Sequence, residues 1–177
     1  MNNLFTSSKT SEWSTPDWLY KQLDEEFHFQ LDAACTEQNQ KCRWGYGIDL
    51  PLHQVNDHGT WKHCGENALF VSWYDPIAGE DIKSIWCNPP YNNLGEWIEQ
   101  GWRASQLGCT VVFLLPTTKT DQPWWHSRVL KDAAEIRFIE GRVKFGGMKS
   151  AAPFPSCVVI FKPKSIDWKL ASMKQVK

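Results

Sequence analysis

Four consecutive residues, Asn88, Pro89, Pro90 and Tyr91, carry a distinctive set of chemical groups. The exocyclic amine of a nucleobase or amide is a poor nucleophile, because its lone pair is delocalised into the adjoining π-system. To react, its hydrogens must be accepted and its nitrogen drawn toward sp3 geometry. The Asn88 side-chain oxygen and the Pro89 backbone carbonyl can both accept. Pro90 stiffens the pair, and Tyr91 offers a flat face for a planar acceptor. An Asn does not titrate in a useful range, so it cannot serve as an ordinary general base. The proton must leave after alkyl transfer, which calls for a strong electrophile such as a sulfonium methyl donor.

The flanking residues predict how such a loop is held. Ile85, Trp86 and Cys87 suit a short buried strand, which the prolines cannot continue as a ladder. Beyond the loop, Leu94, Trp97, Ile98 and Trp102 recur at helical spacing over Leu94 to Ala104, with Asn93 as cap. The bland alternative is a proline-rich turn; strand before and helix after favour a functional loop.

The rest of the chain reads as a scaffold. Thr15 and Pro16 open a helix with an apolar stripe at Trp18, Leu19, Leu23 and Phe27, though Glu25 and Glu26 lie near its less favourable end. Phe29 to Ala34 reads as a strand carrying Asp32 and two small residues. In an open α/β sheet, ligands sit beyond the carboxyl ends of strands, which places Asp32, Ala33 and Ala34 for close approach. A turn or cap role for Asp32 is the alternative. Lys41 to Glu66 reads as an irregular loop. It holds His53, His58, His63 and Cys64, with Cys35 and Cys42 upstream, but these spacings match no usual paired-ligand pattern and no metal is expected. Ala68, Leu69 and Trp73 follow Asn67 at a further candidate strand end. Thr110 to Leu115 is a continuous apolar run, the mark of a strand covered on both faces. Pro123 to Ala133 reads as helix, Glu135 to Ile139 and Cys157 to Phe161 as strands, and Gly141 to Pro155 as a loop or hairpin. This alternation predicts an α/β domain with a mostly parallel sheet and helices on both faces.

Composition sets outer bounds. A chain of 177 residues, 42% hydrophobic, suits one domain. No run reaches the length of a membrane span and the opening residues do not resemble a signal peptide, so a cytoplasmic protein with reduced cysteines is expected. The net charge of -1 conceals an asymmetry: residues 1–100 hold 6 Lys and Arg against 15 Asp and Glu, whereas 101–177 hold 13 against 5. A basic second half suits a phosphate backbone. Lys119, Arg142, Lys144 and Lys149 lie in its presumptive loops, and some of the eleven tryptophans could stack on bases. Residues 1–12 are expected to be a mobile segment and 164–177 a basic tail, around a domain spanning 13–163.

In order along the chain, W-x-T-P at Trp13 to Pro16, F-x-L-D-A-A at Phe29 to Ala34, A-L…W at Ala68 to Trp73, N-P-P-Y with Trp97 downstream, VVFLLP at 111–116 and a closing G-R-V-K-F…A-P-F-P-S-x-V-V-I-F stand together. In this ordered set the chain resembles the small phage-type DNA N6-adenine methyltransferases related to Dam enzymes. The resemblance implies a Rossmann-like, S-adenosylmethionine-dependent methyltransferase fold in a bacterial or phage-infected cell. It implies a cofactor pocket lined by Asp32, Ala33 and Ala34, with Trp13, Thr15, Pro16, Asn67 and Asn88 nearby, and a catalytic loop at Asn88 to Tyr91. DNA, double-stranded and with a flipped adenine, would be the partner. Two departures stand out. ACTEQN follows the first strand where many methyltransferases have a Gly-rich loop, and Asn67 replaces an expected acidic residue, though its oxygen can still accept from an amino group.

Three other readings use the same residues. Cytosine N4 and protein glutamine are also planar amines; the basic second half favours nucleic acid, and the resemblance favours adenine. A DNA-binding module with a decayed site is the reading from a different class, separated from an enzyme by its lack of affinity for S-adenosylmethionine.

Overall fold

The computed structural model describes residues 14–36, 38–47, 62–77, 79–146, 148 and 150–163, with the backbone alone over 62–67. The expected segments 1–12 and 164–177 lie outside the described residues, as do Trp13, His53, His58 and Lys149 and the side chains of His63, Cys64 and Asn67. Among the described residues no helix is long and apolar enough to cross a membrane, and the described cysteines are buried free thiols.

The chain runs α1 (Asp17–Phe27), β1 (Leu31–Cys35), β2 (Trp44–Gly47), β3 (Lys62–Asn67), β4 (Ser84–Cys87), α2 (Leu94–Gln106) and β5 (Thr110–Pro116). A 3-10 turn (Thr117–Lys119), a π turn (Trp125–Val129) and α3 (Leu130–Asp132) lead to β6 (Glu135–Phe138) and β7 (Ser156–Phe161). Among the described residues, seven strands form one sheet in the order β3-β2-β1-β4-β5-β7-β6. The pairs from β3 through to β5 are parallel, and β7 runs antiparallel between β5 and β6. The chain leaves β1 toward β2 on one side and later returns to place β4 on the other. The carboxyl ends of β1 and β4 therefore flank the topological switch point, where ligands bind in open α/β sheets.

Alternation along the central strands divides the core. Trp86, Val112, Leu114, Val158 and Ile160 face Leu19 and Leu23 of α1, together with Val143 and Phe145 of the arm between β6 and β7. Ile85, Cys87, Val111, Phe113, Leu115, Val159 and Phe161 face Leu94, Trp97 and Ile98 of α2 and Trp125 and Val129 of the π turn. Two covered faces explain why β5 is apolar throughout. On the α2 side the Arg128 guanidinium lies 4.0 Å over the Trp102 ring and donates to Glu99 at 2.8 Å, fastening the π turn to α2.

Several expectations are corrected. The segment Lys41 to Glu66 is not simply irregular: it holds β2 and all of β3 but its last residue, Asn67. Trp44-Gly45-Tyr46-Gly47 lacks the strand pattern because β2 approaches β1 closely; a Cβ on Gly45 would stand 2.6 Å from Cys35 Sγ. Regular pairing of the first strand begins at Leu31, two residues after Phe29, although the Gln30 backbone already bonds to Ser84 and Trp44 at 2.9 and 3.1 Å; its side-chain Oε1 also accepts from the Lys83 and Ser84 N–H groups at 2.7 and 3.2 Å. Asn93 precedes α2 as expected, but by adopting φ 57°, with no side-chain capping bond. Pro123 to Ala133 is helical as expected, continuously over 123–132, but with a π segment at Trp125–Val129 in place of regular α turns. The acidic end of α1 also acquires a reason. Arg137 of β6 donates to Glu26 at 2.7 Å and to Glu135 at 2.9 Å, so Glu26 serves a partner across the fold rather than its own helix.

Candidate active site

Asn88 to Tyr91 leave the sheet at the carboxyl end of β4, as the prolines require. Pro89 is buried, while Asn88, Pro90 and Tyr91 are half-buried. Leu31 pairs with Ile85 and Asp32 with Trp86, so the ends of β1 and β4 lie side by side. Ala33 and Ala34, buried and small, follow Asp32 toward the same edge of the sheet.

The Asn88 side chain is held by a residue remote in sequence. Its Nδ2 donates to Thr15 Oγ1 at 3.1 Å, which turns Oδ1 to the opposite side of the amide, shielded from bulk water. Thr15 is itself buried. The segment before α1 is fixed on both sides: the Gly146 N–H donates to the Ser14 carbonyl at 2.8 Å, and Lys41 Nζ reaches Asp17 at 2.6 Å. Tyr91 packs against both core clusters. Its ring meets that of Phe154 nearly perpendicularly, 5.4 Å between centroids, and burial holds its phenol well above the usual range, neutral at any working pH.

Asp32 is 2% exposed. Its Oδ2 accepts from the Lys41 N–H at 3.0 Å and its Oδ1 from the Ala34 N–H at 3.3 Å. Both oxygens therefore brace the turn that follows β1. Burial pushes the carboxyl up to about 7, with the two N–H bonds opposing the rise. In the same turn the Thr36 N–H donates to Asn39 Oδ1 at 2.6 Å. Thr36 Oγ1 is buried with no hydrogen-bond partner among the described residues. A spare hydroxyl beside two alanines, at the carboxyl end of β1, fits the polar portion of a nucleoside-bearing cofactor.

Of the cofactor-pocket expectations, Asp32, Ala33, Ala34, Thr15, Pro16 and Asn88 gather at this edge. Asn67 ends β3, paired with Gly47; its side chain and all of Trp13 lie outside the described residues. Of the basic residues, Lys119 is exposed on the turn after β5, and Arg142 and Lys144 are exposed on the arm before β7. The two loops are joined, since the Thr117 N–H donates to the Pro155 carbonyl at 3.0 Å. Arg142 also bonds within its arm, Nη1 donating to the Pro153 carbonyl at 2.6 Å. Lys41, Thr36 and Gly146 were not singled out from sequence, and no local pattern marks them. Phe154 lay within the A-P-F-P-S segment, though without a role of its own.

A curated DNA N-6-adenine-methyltransferase of Haemophilus phage HP1 (strain HP1c1) is 24% identical over 176 residues, covering 92% of this chain and 87% of that protein. A solved structure from Listeria monocytogenes, provisionally assigned as a class I S-adenosylmethionine-dependent methyltransferase, superposes with a TM-score of 0.60 at 14% identity. It covers 96% of this chain and 68% of its own, and at that identity it bears on the fold alone. The profile of the family described as DNA N-6-adenine-methyltransferase (Dam) matches residues 3–175. The chain belongs to that family and is an adenine-specific DNA methyltransferase.

Proposed function

We propose that Asn88 and Pro89 accept the N6 hydrogens of an adenine flipped out of double-stranded DNA, and that Tyr91 supports the base by stacking. The observation that carries this reading is the place of the loop: Asn88 stands at the carboxyl end of β4, across the switch point from Asp32, Ala33 and Ala34 on β1. S-adenosylmethionine, when bound, supplies an electrophilic methyl group on a sulfonium sulfur. Thr36 and the backbone of Ala33 and Ala34 are the groups suited to hold it, and Asp32 keeps their turn in shape.

Each residue then has a defined task. Accepting two hydrogens from the amine localises the nitrogen lone pair, and the shielded position of Asn88 makes that bond worth more than it would be in water. Pro89 and Pro90 hold the two acceptors at a fixed separation, so little reorganisation is needed when the amine arrives. Base flipping is required because N6 is inaccessible in a stacked duplex. Lys119, Arg142 and Lys144, on two joined loops at the same edge, would meet phosphates on either side of the extruded base. Lys149 is assigned to the same phosphate contacts from its sequence position.

Replacing Asn88 by Ala removes one acceptor and leaves the β1 turn untouched. Transfer to unmethylated DNA is expected to fall by about a hundredfold or more, the scale of losing a preorganised polar group, while calorimetry finds cofactor affinity unchanged. Turnover close to wild type would contradict the assignment.

A further inference from the structure

We infer that Thr15 is a positioning residue for the reaction: its hydroxyl sets which way the Asn88 amide faces. This rests on the reading of Asn88 as the acceptor of the substrate amine. The two ends of an amide differ little in shape but are opposite in function, since the oxygen accepts while the NH2 group donates. If the group were turned over, a donor would face the substrate amine and the reaction would lose its handle. A fixed partner on one side decides between the two orientations. Thr15 Oγ1 lies 3.1 Å from Asn88 Nδ2 and, in accepting from it, commits Oδ1 to the far side.

Thr15 suits this role because it is buried between anchored neighbours. It is 4% exposed, and the residues on either side of the Thr15–Pro16 pair are tied to different parts of the fold. Ser14 is bonded to Gly146 of the arm at 2.8 Å, and a Cβ on Gly146 would approach Ser14 Cβ to 3.2 Å, so the two backbones lie in close contact. Asp17 is bonded to Lys41 at 2.6 Å, and Lys41 in turn to Asp32. The Thr15 hydroxyl therefore refers the Asn88 amide to a frame shared by the arm and the β1 turn.

The bond can be read without catalysis. In the side-chain amide NMR spectrum of the wild-type protein, an Nδ2 proton of Asn88 should exchange at least about tenfold more slowly than those of exposed Asn92, as expected for a hydrogen-bonded donor away from water. Equal exchange would overturn the inference even if no variant can be made. Thr15→Val keeps the shape and removes the hydroxyl. It should abolish the protection and lower kcat by about ten- to a hundredfold, the scale of a misplaced catalytic group, with S-adenosylmethionine affinity within about twofold of wild type. Thr15→Ser should restore both. A kcat for Thr15→Val within about twofold of wild type overturns the inference, as does a cofactor affinity weakened about tenfold or more, which would make Thr15 a cofactor contact. Should Asn88→Ala retain methylation while the protection is present, the catalytic reading fails and the bond stands.

Discussion

Asp32 and Lys41 are joined by a hydrogen bond of 3.0 Å between a buried carboxylate oxygen and a backbone N–H. Because burial raises the Asp32 carboxyl from 3.8 to about 7, the fold prefers its neutral form. Its contribution to stability is therefore fully present below about pH 4 and is lost as pH rises toward 7. The shift sets an upper bound of about 4 kcal/mol on that loss. Asp32→Asn does not titrate. Urea unfolding of both proteins from pH 4 to 7.5 should find the wild type losing stability relative to the variant as pH rises; a constant gap would show that the carboxyl titrates at its ordinary value.

Arg137 joins the end of α1 to the sheet edge, and its side chain is 11% exposed, against 12% for Glu135 and 46% for Glu26. Removing the arginine leaves Glu135 without this partner in a largely buried place, whereas removing the charge of Glu26 disturbs a half-exposed pair. Arg137→Leu should cost about 2–3 kcal/mol in denaturant unfolding and Glu26→Gln less than about 1 kcal/mol. Equal costs would contradict the asymmetry. Methyl transfer at low temperature should survive both.

Lys119 and Lys144 are exposed, and Arg142 is bonded to its own arm. Loss of either lysine should weaken DNA binding about equally for all sequences and reduce the dependence of log K on log salt by about one unit. Arg142→Ala should do more, lowering kcat as well, because it releases Pro153 beside the Phe154 ring that packs on Tyr91. Filter binding across a salt series and steady-state turnover distinguish the two patterns.

What was legible in the sequence follows from how local its causes are. The strand at Ile85 to Cys87, the loop after it and the helix from Leu94 were readable because proline chemistry and helical spacing act over a few residues. The α/β class followed from the alternation of elements, and β5 from its unbroken apolar run. By contrast β2 was hidden, since Gly45 answers a close approach by Cys35 that only the folded chain possesses. Glu26 looked misplaced until Arg137 was found opposite it. Thr15 was linked to the site only by resemblance, as a neighbour of the cofactor; its bond to Asn88 spans 73 positions, and no spacing rule reaches that far. Asp32 was expected at the pocket, but its bracing of the Lys41 turn is a tertiary fact.

Identifying the modified atom tests the role of Asn88 in adenine methylation. Unmethylated double-stranded DNA is incubated with S-adenosylmethionine bearing a labelled methyl group and either the wild-type protein or Asn88→Ala, then digested to nucleosides and separated. Label is expected in N6-methyl-2′-deoxyadenosine for the wild type and about a hundredfold less for the variant. Label in N4-methyl-2′-deoxycytidine, or equal labelling of deoxyadenosine by both proteins, would contradict the role of Asn88 in adenine methylation.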